Sequence, residues 1–89
     1  MIKTTITIPN KLGLHARASA KLTKLAGTFG SEVHLSKGSR RVNAKSIMGV
    51  MMLAAGQGTE VEIETHGEDE QAAMDAIRAL ISDRFGEEA

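Results

Sequence analysis

Residues 12–19, LGLHARAS, set one histidine between a glycine turn and the first residues of a helix. Upstream, Ile2, Thr4, Ile6 and Ile8 alternate with Lys3, Thr5 and Thr7, the period of a half-buried strand that Pro9 and Asn10 bring to an end. Downstream, Ala18, Leu22 and Leu25 recur at helical spacing with Lys21 and Lys24 off their face, so the pattern predicts a helix over 16–26. Gly27 stands where a helix C-cap belongs, and Gly30 breaks the chain again. His15 therefore lies on a strand-to-helix turn.

The remaining segments follow the same grammar. Val33 and Leu35 alternate with Glu32, His34 and Ser36 in a second strand, and Lys37-Gly38-Ser39 reads as a tight turn into a short third strand, Arg40 to Asn43, with Val42 inward. Ser46 precedes the apolar run IMGVMMLAA, a short helix closed by Gly56, Gln57 and Gly58. Val61 and Ile63 alternate with Glu60, Glu62 and Glu64, giving a fourth strand with a charged outer face. A final helix over 69–85 carries the stripe Ala73, Ala76, Ile77, Leu80 and Ile81, with Asp69 and Glu70 at its positive end. The order is βαββαβα in one domain, residues 1–89. Each helix has one apolar stripe and each strand one apolar face, which points to two layers in an α+β fold. Connections that skip a neighbouring strand give a split βαβ arrangement, and pattern alone leaves the strand order open.

Bulk composition narrows the function. A chain of 89 residues buries roughly 60–65 % of its unfolded surface, enough for a core but not for a deep cleft. Eleven basic and eleven acidic residues cancel, which argues against a nucleic-acid binder. Tryptophan and tyrosine are absent and only Phe29 and Phe85 are aromatic, so base-stacking platforms are missing. Without cysteine there is no thiolate nucleophile and no cysteine-type zinc site. The opening MIKTTITIPN is not a signal peptide and nothing later could span a membrane, so a cytoplasmic location is expected.

Three histidines are candidates for chemistry. His34 has the outward parity of its strand, and His66 shares the outward parity of Glu62 and Glu64, so both read as solvated. No pair of histidines has metal-site spacing, and neither a metal nor a cofactor is expected. His15 differs, because the first N–H groups of a helix have no intrahelical partner and carry a partial positive charge. A bound anion would meet the amides of Ala16 and Arg17, and the Arg17 guanidinium suits phosphate oxygens. The same field disfavours an imidazolium and leaves the ring nucleophilic. A phosphorylated histidine is one reading of these features. A plain helix N-cap beside a solvated arginine is the other.

LGLHARAS together with NAKSIMGVMML, residues 43–53, decides between them. The two motifs stand in register about thirty residues apart, and with them the chain resembles, over nearly its whole length, the histidine-containing phosphocarrier (HPr) family of the bacterial phosphoenolpyruvate-dependent phosphotransferase system. The resemblance implies an open-faced β-sandwich, an antiparallel sheet of order 1-4-2-3 under three helices. It implies that His15 accepts a phosphoryl group on Nδ1 from phosphorylated enzyme I and passes it to enzyme II A components, with Arg17 balancing the charge. It implies a phosphoryl-group carrier and not an enzyme. The family usually has proline where this chain has Ala18. Alanine keeps the first-turn geometry with high helix propensity, so slightly looser ordering and no lost chemistry are expected.

Ser46 is a good N-cap on local grounds. The resemblance adds regulatory phosphorylation there by a dedicated serine kinase/phosphorylase. A two-turn helix cannot bury six apolar side chains, so some of Ile47, Met48, Met51 and Met52 should stay exposed, and methionine suits a surface that fits several partners. In the family the residues matching Ile47, Met48 and Met51 dock enzyme I and the A components. Lys24 and Lys45 are candidate basic contacts at the rim. A monomer, with neither nucleic acid nor membrane as partner, completes the expectation.

Two other functions match parts of the pattern. Gly27-Thr28-Phe29-Gly30 is a G-x-x-G of the kind RNA-binding KH domains use, but here it joins a helix to a strand rather than two helices. A ligand-sensing split βαβ domain would leave LGLHAR unexplained. Within the resembled family, the nitrogen-related regulatory branch is the nearest alternative, and KSIMGVM with Ser46 favours the ordinary branch.

Overall fold

A computed structural model describes all 89 residues. Four strands, β1 (Ile2–Thr7), β2 (Glu32–Lys37), β3 (Arg40–Asn43) and β4 (Glu60–His66), alternate with three helices, α1 (Ala16–Ala26), α2 (Ile47–Met52) and α3 (Glu70–Ser82), and a short 3-10 turn follows at Arg84–Gly86. The sheet runs β1-β4-β2-β3 and every neighbouring pair is antiparallel. β4, from late in the chain, thus separates β1 from β2, which is the split βαβ arrangement.

Register explains why this order is stable. Thr4 lies opposite Ile63, Ile63 opposite Leu35, and Leu35 opposite Val42, so one row across all four strands faces the same way. A slip of one residue in any strand would turn its apolar set outward. The inward positions Val33, Leu35, Val61 and Ile63 are fully buried or nearly so, under Leu22, Met74, Ile77 and Ile81 from the helices. Met74, absent from the anticipated stripe of α3, is one of its most deeply buried side chains.

The opposite face of the sheet is open but not uniformly solvated. Glu64, expected on the charged outer face, is only 7 % exposed. Arg41 donates to its carboxylate at 2.6 Å and Lys3 lies 4.0 Å away. The guanidinium holds the Glu64 carboxyl below the ordinary glutamate range against the opposing effect of burial. His34, expected to point to solvent, sits half-buried in the same row, opposite Glu64 and Asn43, and of the three histidines only His66 is exposed.

Two helix ends depart from the reading of the sequence. α2 stops at Met52 because Leu53 turns inward to the core and Ala54 adopts a left-handed conformation (φ 51°). Lys37 and Arg40 reach across from the β2–β3 hairpin to the carbonyls of Leu53 and Met52, at 3.1 and 2.7 Å, and so satisfy the open end of that helix. α3 stops at Ser82, three residues short of the expected Phe85.

Candidate functional site

Backbone contacts on both sides fix His15. The β1 strand leads into Ile8, which is fully buried and pairs with the 58–59 segment through Ile8 N–H to Thr59 O and Gly58 N–H to Ile8 O, both 2.9 Å. Asn10, fully buried, closes the following turn: its Nδ2 donates to Gly13 O at 2.9 Å and its carbonyl accepts from Gly13 N–H at 3.1 Å. Gly13 has a left-handed backbone (φ 65°), and a side chain there would meet Ala55 O at 2.4 Å. Leu14 buries its side chain and donates its N–H to Ala55 O at 2.9 Å. Beyond His15, Ala18 is fully buried, and the Ser19 hydroxyl donates back to Leu14 O at 3.1 Å. Ala18 therefore occupies a packed first-turn position.

His15 is the N-cap of α1 through its backbone, whose carbonyl accepts from Ser19 N–H at 2.8 Å, while its side chain caps nothing. The N–H groups of Ala16, Arg17 and Ala18 precede that first helical bond and carry the positive end of α1. Arg17 is exposed and makes neither a hydrogen bond nor an ion pair. With Lys11, Leu12, Ala16, Glu87 and Ala89, His15 and Arg17 line one open depression. Leu12 is 66 % exposed beside them. No cluster of three or more metal-ligating side chains occurs.

Glu87 escaped the reading of the sequence. Its carboxylate meets Nε2 of His15, and its other oxygen accepts from Asn10 Nδ2 at 3.0 Å. The imidazole contact first, and then the Asn10 amide, hold the Glu87 carboxyl below the ordinary glutamate range. An ionised carboxylate can only accept, so Nε2 carries a proton in this contact, and in the neutral form of the ring Nδ1 then holds the lone pair. The carboxylate also opposes the helix field that the sequence places alone on the ring.

The chain delivers Glu87 by a conformation no residue pattern announces. Arg84, Phe85 and Gly86 are all left-handed, with φ of 56, 56 and 78°. Such a backbone costs roughly 1–2 kcal/mol at each of the two non-glycine residues. Full burial of the Phe85 side chain returns a comparable 1.5–3 kcal/mol or so. Lys21 on α1 adds a hydrogen bond from Nζ to Phe85 O at 2.6 Å.

The second motif lies on α2. The Ser46 hydroxyl accepts from Gly49 N–H at 3.1 Å, an N-cap as its position suggests. On the helix behind it Ile47, Met48, Met51 and Met52 are all exposed, Met48 most at 70 %, while Val50 and Leu53 face the core. Lys24 is exposed on α1. Lys45 is half-buried, and its ammonium donates to Phe29 O at 2.9 Å, so it is tethered rather than free at the rim.

A model of the family described as PTS HPr component phosphorylation site matches residues 2–83. The phosphocarrier protein HPr of Cupriavidus necator is 67 % identical over 87 residues, covering 98 % of each chain. That of Neisseria meningitidis serogroup A is 59 % identical over the same length and coverage. Among solved structures, HPr-C-His from Thermoanaerobacter tengcongensis superimposes with a TM-score of 0.96 at 45 % identity, over 100 % of both chains. An HPr dimer from the same organism gives 0.79 at 45 % identity, covering 98 % of this chain and 100 % of that one.

Proposed function

The chain belongs to the HPr family of the phosphotransferase system and is a phosphocarrier, not an enzyme, and from that premise we propose that His15 is the residue that carries the phosphoryl group, on Nδ1. The observation that carries this reading is the carboxylate of Glu87 on Nε2. It leaves Nδ1 as the one ring nitrogen with a free lone pair, beside the unpaired amides of Ala16 and Arg17 and the unpaired Arg17 guanidinium. A phosphoryl group on Nδ1 gains hydrogen bonds from those amides and charge compensation from the arginine.

The donor in this reading is phosphorylated enzyme I, and the acceptors are enzyme II A components. Phosphoryl transfer depends mainly on positioning and charge stabilisation, much of which a partner can supply. A carrier with one reactive side chain in an open depression is suited to that division of labour. Ile47, Met48 and Met51 are the docking surface, with Lys24 at its rim. Lys45 would have to leave its Phe29 carbonyl to take part. The carrier acts in the cytoplasm as a monomer, although three solved relatives are described as dimers. Ser46 is the regulatory site. Its hydroxyl is accessible at a helix start, where a phosphate would find favourable donors, and a serine kinase/phosphorylase would act there.

Incubation with enzyme I and labelled phosphoenolpyruvate tests the central assignment. The wild-type chain should take up label as an acid-labile Nδ1 phosphohistidine seen by phosphorus NMR, and His15→Ala should fold normally and stay unlabelled. Label retained in His15→Ala, or found on His34 or His66, would refute it.

A further inference from the structure

We infer that Glu87 is a positioning residue for phosphoryl transfer: held by Asn10 and presented by the left-handed turn at Arg84–Phe85–Gly86, its carboxylate keeps the proton on Nε2 of His15 so that only Nδ1 can bond phosphorus. The inference rests on His15 being the acceptor, and adds to it a second residue, a proton and a reason for the shape of the C-terminal turn.

The geometry constrains Glu87 from three directions. Its carboxylate faces Nε2 with the two side chains only 25 % and 15 % exposed, so water competes weakly for that contact. Asn10 grips the other carboxylate oxygen while its second Nδ2 hydrogen holds Gly13 O, which couples Glu87 to the loop that places His15. Three successive left-handed residues bring Glu87 there, locked by buried Phe85 and by Lys21 on the same helix that His15 caps. Strain kept in a turn that leads to a reactive side chain is the pattern expected where the surrounding structure over-determines a functional geometry.

The chemistry gives that proton a purpose. A neutral imidazole carries one N–H, and the carboxylate selects the Nε2–H tautomer. The Nδ1 lone pair then attacks phosphorus: an Nδ1–P bond forms, the bond from phosphorus to the donor protein breaks, and its electron pair leaves with the donor. Nδ1 bore no proton, so none has to be removed. The ring now holds both Nε2–H and Nδ1–P and is cationic, a charge that Glu87 offsets. In the onward step the acceptor's nucleophile bonds phosphorus, the Nδ1–P pair returns to Nδ1, and the ring departs as neutral imidazole. Had the Nε2 proton been lost, the leaving group would be imidazolate, a far poorer one. One carboxylate thus makes the ring ready to receive and ready to release.

Ring nitrogen NMR on histidine-labelled protein, with His34 and His66 assigned by substitution, reads the tautomer directly. At alkaline pH the wild type should show a protonated Nε2 and a bare Nδ1 on His15. Glu87→Ala should mix the tautomers, slow phosphoryl uptake from phosphorylated enzyme I by roughly tenfold, the low end of what losing a histidine's orienting partner costs at metal sites, and lengthen the lifetime of the phosphorylated form. Glu87→Gln, which keeps an oxygen acceptor, should restore the tautomer and most of the rate. An unchanged tautomer population and an unchanged rate in Glu87→Ala would overturn the inference. Uptake by wild type at a residue other than His15, with the tautomer still biased, would instead overturn the acceptor assignment and remove the role claimed for Glu87.

Discussion

Asp69 stands at the N-cap of α3, yet its side chain caps no amide of that helix. Its carboxylate turns onto the α1–β2 loop, where Oδ1 accepts from Ser31 N–H at 2.9 Å and from the Ser31 hydroxyl, and Oδ2 accepts from Gly30 N–H at 3.0 Å. Behind it Gly67 presses so close to Ser31 that a side chain at 67 would lie 2.5 Å from the Ser31 hydroxyl. The pair pins the entry of β2 to the entry of α3.

The Ser31 hydroxyl first, and then the Gly30 amide, hold the Asp69 carboxyl below its ordinary value of 3.8. A carboxyl depressed in the folded state stabilises the fold above its unfolded pKa, and that contribution disappears as pH falls through the folded value. Urea denaturation from pH 6 down to pH 2 should therefore show stability falling at and below about pH 4 in the wild type. Asp69→Ala should be less stable at pH 6 and lose less over the acid limb. Parallel curves for the two proteins would show that the acid sensitivity arises elsewhere, with Glu64 the next group to test.

Ser46 offers a cleaner helix-end measurement. Removing its hydroxyl leaves Gly49 N–H without its acceptor, and Ser46→Ala should cost about 0.5–2 kcal/mol, read from a denaturant midpoint at constant m-value. Ser46→Asp should stay near wild-type stability, since a carboxylate suits the positive end of α2. It should also slow uptake of phosphate at His15, because its charge lies beside Ile47 and Met48, where a docking partner has to exclude water. Wild-type uptake by Ser46→Asp would remove the case for regulation at this residue.

Met48→Glu separates docking from folding. At 70 % exposure the side chain contributes little to the core, so the change should fall within about 0.5 kcal/mol of wild-type stability. Titration with enzyme I, followed by amide shifts, should show weaker binding and the largest wild-type perturbations over residues 47–52. Shifts confined to the far end of the sheet would relocate the docking surface.

Much of this molecule is readable from periodicity, and the exceptions share a cause. The strands, the face each helix buries and the N-cap of Ser46 follow from local spacing, because burial of one apolar face is a local property of the pattern. The strand order needed the resemblance, since β4 inserts between β1 and β2 through contacts far apart in sequence. His15 and Arg17 were legible as residue types on a helix start. Glu87 was not, because it reaches His15 across 72 positions and through a turn of left-handed Arg84 and Phe85, residue types that give no sign of that conformation. The burial of Glu64 and the tether of Lys45 to Phe29 were hidden for the same reason, each being decided by a neighbour on another element.

Gly13 and Gly38 allow the site's rigidity to be measured against a control. Both have left-handed backbones, with φ of 65 and 60°. They differ in what surrounds them: a Cβ on Gly38 meets nothing within 4 Å, whereas one on Gly13 would lie 2.4 Å from Ala55 O and 2.7 Å from Gly56 Cα, both backbone atoms. Gly38→Ala should therefore show the conformational cost alone, roughly 1–2 kcal/mol, with phosphoryl uptake unchanged. Gly13→Ala bears that cost and must also force the 54–56 segment away from the loop, breaking the 2.9 Å bond from Leu14 N–H to Ala55 O, so a total above about 3 kcal/mol is expected. Because Leu14 immediately precedes His15, the displacement should carry the imidazole away from Glu87 and from the amides of Ala16 and Arg17. Uptake per folded molecule should then fall for Gly13→Ala even at temperatures where circular dichroism shows it fully folded. Equal stability losses for the two variants, or full uptake by folded Gly13→Ala, would mean that the close approach at Ala55 yields easily and that the position of His15 does not depend on it.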